Sequence, residues 1–171
     1  QYTSEIENDL IPCQLQPLDL RAYLADKVVQ YQVKAKQQDI HLTYKVETCH
    51  DGPFEIDQEK LDRILDNIIS NSLAYTPAGG QVSITVKQYQ HQIQYEIKDS
   101  GPGFGSVDIE KAFRKFYRGD EARPKDDTHS GLGLYIARQL VEKMGGGIKL
   151  ENIPEGGALV TFWHLLKRNP D

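Results

Sequence analysis

Residues 61–77 read LDRILDNIISNSLAYTP. Leu61, Ile64, Leu65 and Ile68 recur at helical spacing and make one apolar stripe. The pattern predicts a helix from about Glu59 to Tyr75, closed off by Pro77 and the Gly79-Gly80 pair. Asn67 and Asn71 stand four residues apart at the margin of that stripe, so both amides project from one face. An amide oxygen placed there can ligate a hard cation such as Mg²⁺, which takes oxygen donors and keeps several waters. On the helix alone, an ordinary polar margin explains the pair better, since asparagine is a middling helix former and common at such edges.

The pattern extends in both directions. Upstream, Asp19 opens a second amphipathic run carrying Leu20, Leu24, Val28 and Tyr31. Residues 40–47 alternate like a half-buried strand, Asp51-Gly52-Pro53 is a turn, and Phe54 to Ile56 reads as a short strand. Downstream, Val82, Ile84 and Val86 alternate, as do Ile93, Tyr95 and Ile97, with a polar turn near Gln90 to Gln92. A short helix is expected over 108–115 and a polar, unpatterned loop over 119–130. A last helix is expected from about Gly131 to Met144, with Leu134, Ala137, Leu140, Val141 and Met144 on one stripe and Gly145 to Gly147 stopping it. Strands near 148–151 and 158–165 complete the pattern. Helices and strands mix without strict βαβ alternation. This predicts an α/β two-layer sandwich, with helices on one face of a mixed sheet. Residues 1–16, punctuated by Pro12 and followed by Pro17, read as a connector, and 17–168 as the domain.

At 171 residues and 39% hydrophobic, the chain fits one domain with a real core. A net charge of −5 argues against a nucleic-acid surface, which normally carries a basic excess. No run approaches the ~18 apolar residues of a membrane span, so no direct membrane contact is expected. Cys13 and Cys49 are too few for a disulfide scaffold and lack CxxC spacing, which suits a reduced, cytoplasmic setting. With Gln1 first and Met144 the only methionine, a piece of a longer protein is expected.

Two further segments carry chemistry. Asp99-Ser100-Gly101-Pro102-Gly103 closes a predicted strand. Its glycines let backbone approach a ligand closely, and its carboxylate can accept a hydrogen bond from an exocyclic amine. A plain turn uses the same residue types. Ser130-Gly131-Leu132-Gly133-Leu134 opens the last helix. Unpaired N–H groups and the helix dipole make such an end an anion site, while close helix packing explains the glycines equally well. Neither GxxxxGK[ST] nor GxGxxG after a strand is present, so a nucleotide would have to be bound in another way.

Taken in this order and spacing, the segments resemble the GHKL (Bergerat-fold) superfamily of ATPases and kinases, above all the catalytic domain of sensor histidine kinases. LDNIISNSLAYTP is similar to that family's N box, DSGPGF to its first glycine box, FRKFYR (113–118) to its F box, and SGLGLYIA to its second glycine box. The resemblance runs from about Leu18 to Leu166. It implies an ATP pocket under a lid formed by about 117–130. In it Asp99 would bind the adenine amine, Gly101 and Gly103 would shape the pocket, and Tyr75 would cover the ring. Asn71 would hold Mg²⁺ with help from Asn67. Gly131, Leu132 and Gly133 would meet the phosphates through backbone N–H groups. Arg118 would reach the terminal phosphate or the incoming histidine.

Two positions depart from that pattern. Ala74 stands where a basic residue that touches a phosphate is usual, and His129 where a glycine is usual. None of His41, His50, His91, His129 and His164 has the acidic and basic helical neighbours of the family's substrate histidine. The resemblance therefore implies a donor domain that phosphorylates the histidine-bearing dimerisation helices of the same protein, and indirectly serves a response regulator. A membrane-anchored parent is implied too. Two alternatives stay open: an ATPase acting as a conformational switch, and a degenerate nucleotide-binding module. The switch ATPases of the superfamily place a water-activating glutamate where Asn67 stands, and an amide cannot act as a general base.

Overall fold

The computed structural model describes residues 13–48, 52–104 and 133–166. Among them the elements are β1 (Gln16–Leu18), α1 (Leu20–Gln37), β2 (His41–Glu47), β3 (Phe54–Ile56), α2 (Gln58–Tyr75), β4 (Gln81–Tyr89), β5 (Gln92–Asp99), α3 (Gly133–Lys143), β6 (Gly147–Asn152) and β7 (Ala158–Leu165). The main sheet has the order β2-β4-β5-β7-β6. Only β2 and β4 pair in parallel; the other neighbours are antiparallel. A parallel pair cannot be joined by a tight turn, so the chain must cross over between them. That crossover is α2, which is how the helix of residues 61–77 comes to lie across the sheet.

Strand alternation decides which face the helices cover. Val82, Ile84 and Val86 of β4 stand in register with Asp99, Ile97 and Tyr95 of β5, and Ile97 and Tyr95 in turn with Val160 and Phe162 of β7. These apolar side chains are buried together with Ile64, Leu65, Ile68 and Ile69 of α2 and Ala137, Leu140 and Val141 of α3. Each large aliphatic side chain buried this way stabilises the fold by roughly 1.5–3 kcal/mol. The opposite face of β4 and β5 carries polar partners such as Lys87 and Glu96, whose Nζ and Oε2 lie 3.3 Å apart. The result is the two-layer sandwich that the patterning predicts.

α1 is tied to α2 through phenols and carboxylates. Tyr23 Oη donates to Asp62 Oδ1 at 2.5 Å, and Tyr31 Oη donates to Asp66 Oδ1 at 2.6 Å. Burial, followed by the adjoining carboxylates, pushes both phenols far above their ordinary range, so they stay donors. Lys27 Nζ adds a bond to Asp66 Oδ1 at 2.8 Å.

One element is not announced by the sequence. β1 pairs antiparallel with β3 in a separate two-stranded sheet. Just ahead of it, Gln14 N donates to Asp57 Oδ2 at 2.7 Å. Three residues are too few to show alternation, and Pro17 reads as punctuation rather than as strand. The expected helix at 108–115 and loop at 119–130 lie outside the described residues.

Candidate functional site

The predicted residues gather along one line of α2. Asn67, Asn71 and Tyr75 follow at four-residue intervals, so they share a face that runs about 12 Å along the helix. Each end of that line meets a different element.

At the Tyr75 end lies Asp99, the last residue of β5. Its register partners are Val82, near the start of β4, and Ala158, the first residue of β7. Three strand ends therefore converge on a carboxylate that is only 3% exposed. Asp99 Oδ1 accepts from Gly101 N at 2.9 Å and from Ala158 N at 3.3 Å. These bonds fix the carboxylate's orientation. Gly101 is required sterically: a Cβ there would stand 2.7 Å from Tyr75 O and 3.1 Å from Asp99 Oδ1. Any side chain would push α2 away from the strand end. Gly157, which no local pattern singles out, is tighter still. Its φ is +108°, and a Cβ would lie 2.0 Å from Asp99 O. Gly103 also has positive φ, and beside it Asn152 Oδ1 accepts from Phe104 N at 2.6 Å. The first glycine segment is thereby anchored to the end of β6. Thr76 closes α2 with its Oγ1 donating to Ser72 O at 2.7 Å. Ser100 extends the β4–β5 ladder through Ser100 N to Gln81 O at 3.0 Å.

At the Asn67 end, α3 begins. A Cβ added to Gly133 would meet only Asn67 O, at 3.9 Å, among the described residues. Among the described residues, close packing therefore gives no reason for glycine at this position. Asn67 Nδ2 is shut off from solvent and has no hydrogen-bond partner among the described residues. A buried amide left in this state costs about 1–3 kcal/mol, which a ligand could recover. Asn71 likewise makes no side-chain hydrogen bond among the described residues. Rotation of either amide presents its oxygen in place of its nitrogen. Two uncommitted amides one turn apart suit Mg²⁺, which takes one or two protein ligands and leaves its other positions to water and phosphate.

The structure thus brings together Asp99, Gly101, Gly103 and Tyr75 at one end of the line, and Asn67 and Gly133 at the other, with Asn71 between them. Arg118, Gly131, Leu132, the FRKFYR segment, His129 and the expected lid lie outside the described residues. Trp163 packs over Gly147, where a Cβ would stand 2.7 Å from its ring. No helix among the described residues is long and apolar enough to cross a membrane.

Comparison with known proteins bears on this geometry. A family model described as histidine kinase-, DNA gyrase B-, and HSP90-like ATPase matches residues 56–168. Sensor histidine kinase WalK of Bacillus subtilis (strain 168) is 44% identical over 110 residues, which are 63% of this chain and 18% of that protein. Sensor protein SrrB of Staphylococcus aureus (strain NCTC 8325 / PS 47) is 30% identical over 150 residues, 87% of this chain and 24% of that protein. The chain spans about a fifth of the length of these relatives. Among solved structures, full-length ShkA in complex with AMPPNP superposes with a TM-score of 0.77 at 24% identity, covering 94% of this chain and 33% of that one. This last likeness bears out the predicted fold.

Proposed function

Because this chain belongs to the histidine kinase-, DNA gyrase B- and HSP90-like ATPase family, we propose that it is the ATP-binding catalytic domain of a sensor histidine kinase. It would donate the γ-phosphate of ATP to a histidine on the dimerisation helices of a longer, membrane-anchored parent. In this reading the domain is residues 17–168, with 1–16 as the connector to those helices. It works in the cytoplasm, and a response regulator takes the phosphate onward.

The line along α2 suits an elongated ligand with a ring at one end and an anionic tail at the other. Asp99 accepts the adenine amine, Gly101 and Gly103 keep the wall thin, and Tyr75 covers the ring. Asn71 and Asn67 would hold Mg²⁺, which would supply positive charge to neutralise the phosphates. Gly131, Leu132 and Gly133 offer backbone N–H groups to the phosphates at the start of α3. Arg118 meets the terminal phosphate. In the transfer, a neutral imidazole nitrogen attacks the γ-phosphorus, a P–N bond forms, the P–O bond to the β-phosphate breaks, and ADP leaves. What the chain contributes is positioning and charge, the main demands of phosphoryl transfer.

The observation that favours this reading over a hydrolytic switch is Asn67. It stands beside the start of α3 as an amide, where activating water would need a basic group. General-base catalysis contributes typically ~10²–10⁴-fold, so ATP hydrolysis by the domain alone should be slow.

Calorimetric titration tests the assignment. ATP should bind with Mg²⁺, and Asp99→Asn should lower affinity by roughly 10–100-fold, since a hydrogen bond to a charged group is worth about 1.5–3 kcal/mol. The asparagine variant keeps an acceptor for Gly101 N and Ala158 N, so the fold is retained. Unchanged affinity would refute the adenine assignment. Radiolabelled ATP should then label a histidine only when the parent's helices are added. Brisk phosphate release by the domain alone would favour the switch.

A further inference from the structure

α1 and α2 enclose a cleft of about 90 Å³ that the site above does not use. Its walls include Tyr31 and Lys34 from α1 and Asp66, Ser70 and Ala74 from α2. Charge around it is unevenly committed. Asp66 already accepts from Tyr31 Oη at 2.6 Å and from Lys27 Nζ at 2.8 Å. Lys34 makes no hydrogen bond or ion pair among the described residues.

Ala74 decides where that cation can go. It follows Asn71 by three residues, so the two are neighbours on the surface of α2. Among the described residues, its small methyl group stands between the cleft and the Asn71 turn, so the wall there is low. A lysine carries a compact point charge on a flexible four-carbon stem, which suits reaching over such a wall. Beyond it, the described residues of the site (Asn67, Asn71, Tyr75 and Asp99) supply no positive side chain for a polyphosphate.

We propose that Lys34 is a specificity-determining residue: it reaches from α1 across Ala74 and meets the terminal phosphate of the nucleotide held at Asn71. This rests on the ATP-binding reading above. A phosphate oxygen is an ionised acceptor, so the contact is a charge-assisted bond, about twice as strong as a neutral one. It exists for a triphosphate and not for a diphosphate. Lys34 thereby sets the preference of the site for ATP over ADP, and Ala74 is small so that Lys34 can pass.

The test is calorimetric titration of ADP and of a non-hydrolysable ATP analogue, both with Mg²⁺, into the wild-type chain, Lys34→Ala, Lys34→Gln and Lys34→Ala/Ala74→Lys. Lys34 is exposed, so the single variants should fold, and thermal melts check this. Losing one charge-assisted bond should weaken the ATP analogue roughly tenfold in both single variants and leave ADP within about twofold. The double variant should recover the preference, because it moves the charge to the near side of the wall. Equal weakening of both nucleotides, or of neither, would overturn the role of Lys34. Failure of the wild-type chain to bind either nucleotide would instead remove the ATP-binding reading, and this inference with it.

Discussion

The first turn of α2 and its middle stand in contrasting surroundings. At its first turn the N-cap Asp57 is 2% exposed, yet its carboxylate is fully engaged. It accepts from Lys60 N at 3.0 Å, Lys60 Nζ at 3.2 Å and Gln14 N at 2.7 Å. Further along the same helix, half-buried Asn67 has its Nδ2 shut off from solvent with no partner among the described residues, and the Asn71 side chain is equally uncommitted there. Both places bury polar atoms. One spends its polar groups on holding the chain together, and the other leaves them available. Buried polar groups are normally paired, so an exception marks a place where a partner arrives from outside. On the proposed reading the contrast separates what α2 does for the fold from what it does for the ligand, and substitutions at Asp57 and at Asn67 should separate in the same way.

The largest effect is expected at Asp57. Replacing it by alanine removes the N-cap, frees Gln14 N and breaks the buried ion pair with Lys60 from one side. Breaking a buried pair from one side costs about 3–5 kcal/mol. Urea denaturation of Asp57→Ala should show that loss, while ATP affinity of the folded fraction stays unchanged. A loss below about 1 kcal/mol would mean that the cluster is not holding the first turn.

Acid should attack the satisfied clusters and spare the amides, which do not titrate. His164 is 1% exposed on the helix side of β7. Its Nδ1 lies 3.1 Å from Leu165 O, and its Nε2 lies 2.8 Å from Tyr95 Oη. The first contact requires Nδ1–H, so Nε2 accepts from the phenol. Burial pushes this imidazole down to about 4 from 6.5, against a smaller pull upward from the Leu165 carbonyl. Between those values the unfolded chain takes up a proton that the folded chain refuses. Stability is therefore full above pH 6.5 and falls towards pH 4, by up to about 3 kcal/mol. Asp57 works in a lower window. Burial raises its carboxyl, but the bonds from Gln14, Lys60 N and Lys60 Nζ outweigh it and hold the group below 3.8. Its contribution is present above 3.8 and is lost as pH falls further. Urea midpoints measured from pH 7.5 down should fall in the first window, and His164→Gln should flatten that fall. An unchanged slope in the variant would assign the acid limb to other groups.

How much of this is legible in the sequence follows from the range of each interaction. α2 is legible because its stripe repeats within a few residues, and Leu61, Ile64, Leu65 and Ile68 are all buried as the spacing requires. Asp99 and Gly101 are legible because carboxylate, turn and close approach occupy neighbouring positions. The Asp57 cluster is not, because Gln14 and Asp57 are 43 residues apart and nothing local pairs them. The same holds for Tyr95 and His164, 69 residues apart, and for Gly157, whose need for glycine comes from the passing backbone of Asp99. That Asn67 lacks a partner is also invisible in sequence, since the same residue four places from Asn71 could equally have met a carbonyl. For that position the sequence gives the chemistry and the structure gives the vacancy of its donor.

The smallest stability effect, and the sharpest test of the contrast, is expected from Asn67→Leu. Leucine keeps the branch at Cγ, though it is larger, and continues the apolar stripe of Ile64 and Ile68. It removes an amide whose burial is uncompensated among the described residues and improves helix propensity. Stability should stay level or rise by about 1 kcal/mol, opposite in sign to Asp57→Ala. Binding should move the other way: without an amide at 67 the Mg²⁺-dependent part of ATP affinity should shrink, while the Mg²⁺-independent part, carried by Asp99, persists. Paired titrations with Mg²⁺ and with EDTA read that difference directly. Should Asn67→Leu instead destabilise the chain by 1 kcal/mol or more, about the value of a satisfied buried hydrogen bond, then the amide has an internal partner in solution. Asp57 and Asn67 would then both serve the fold, and Asn71 alone would remain to hold the metal.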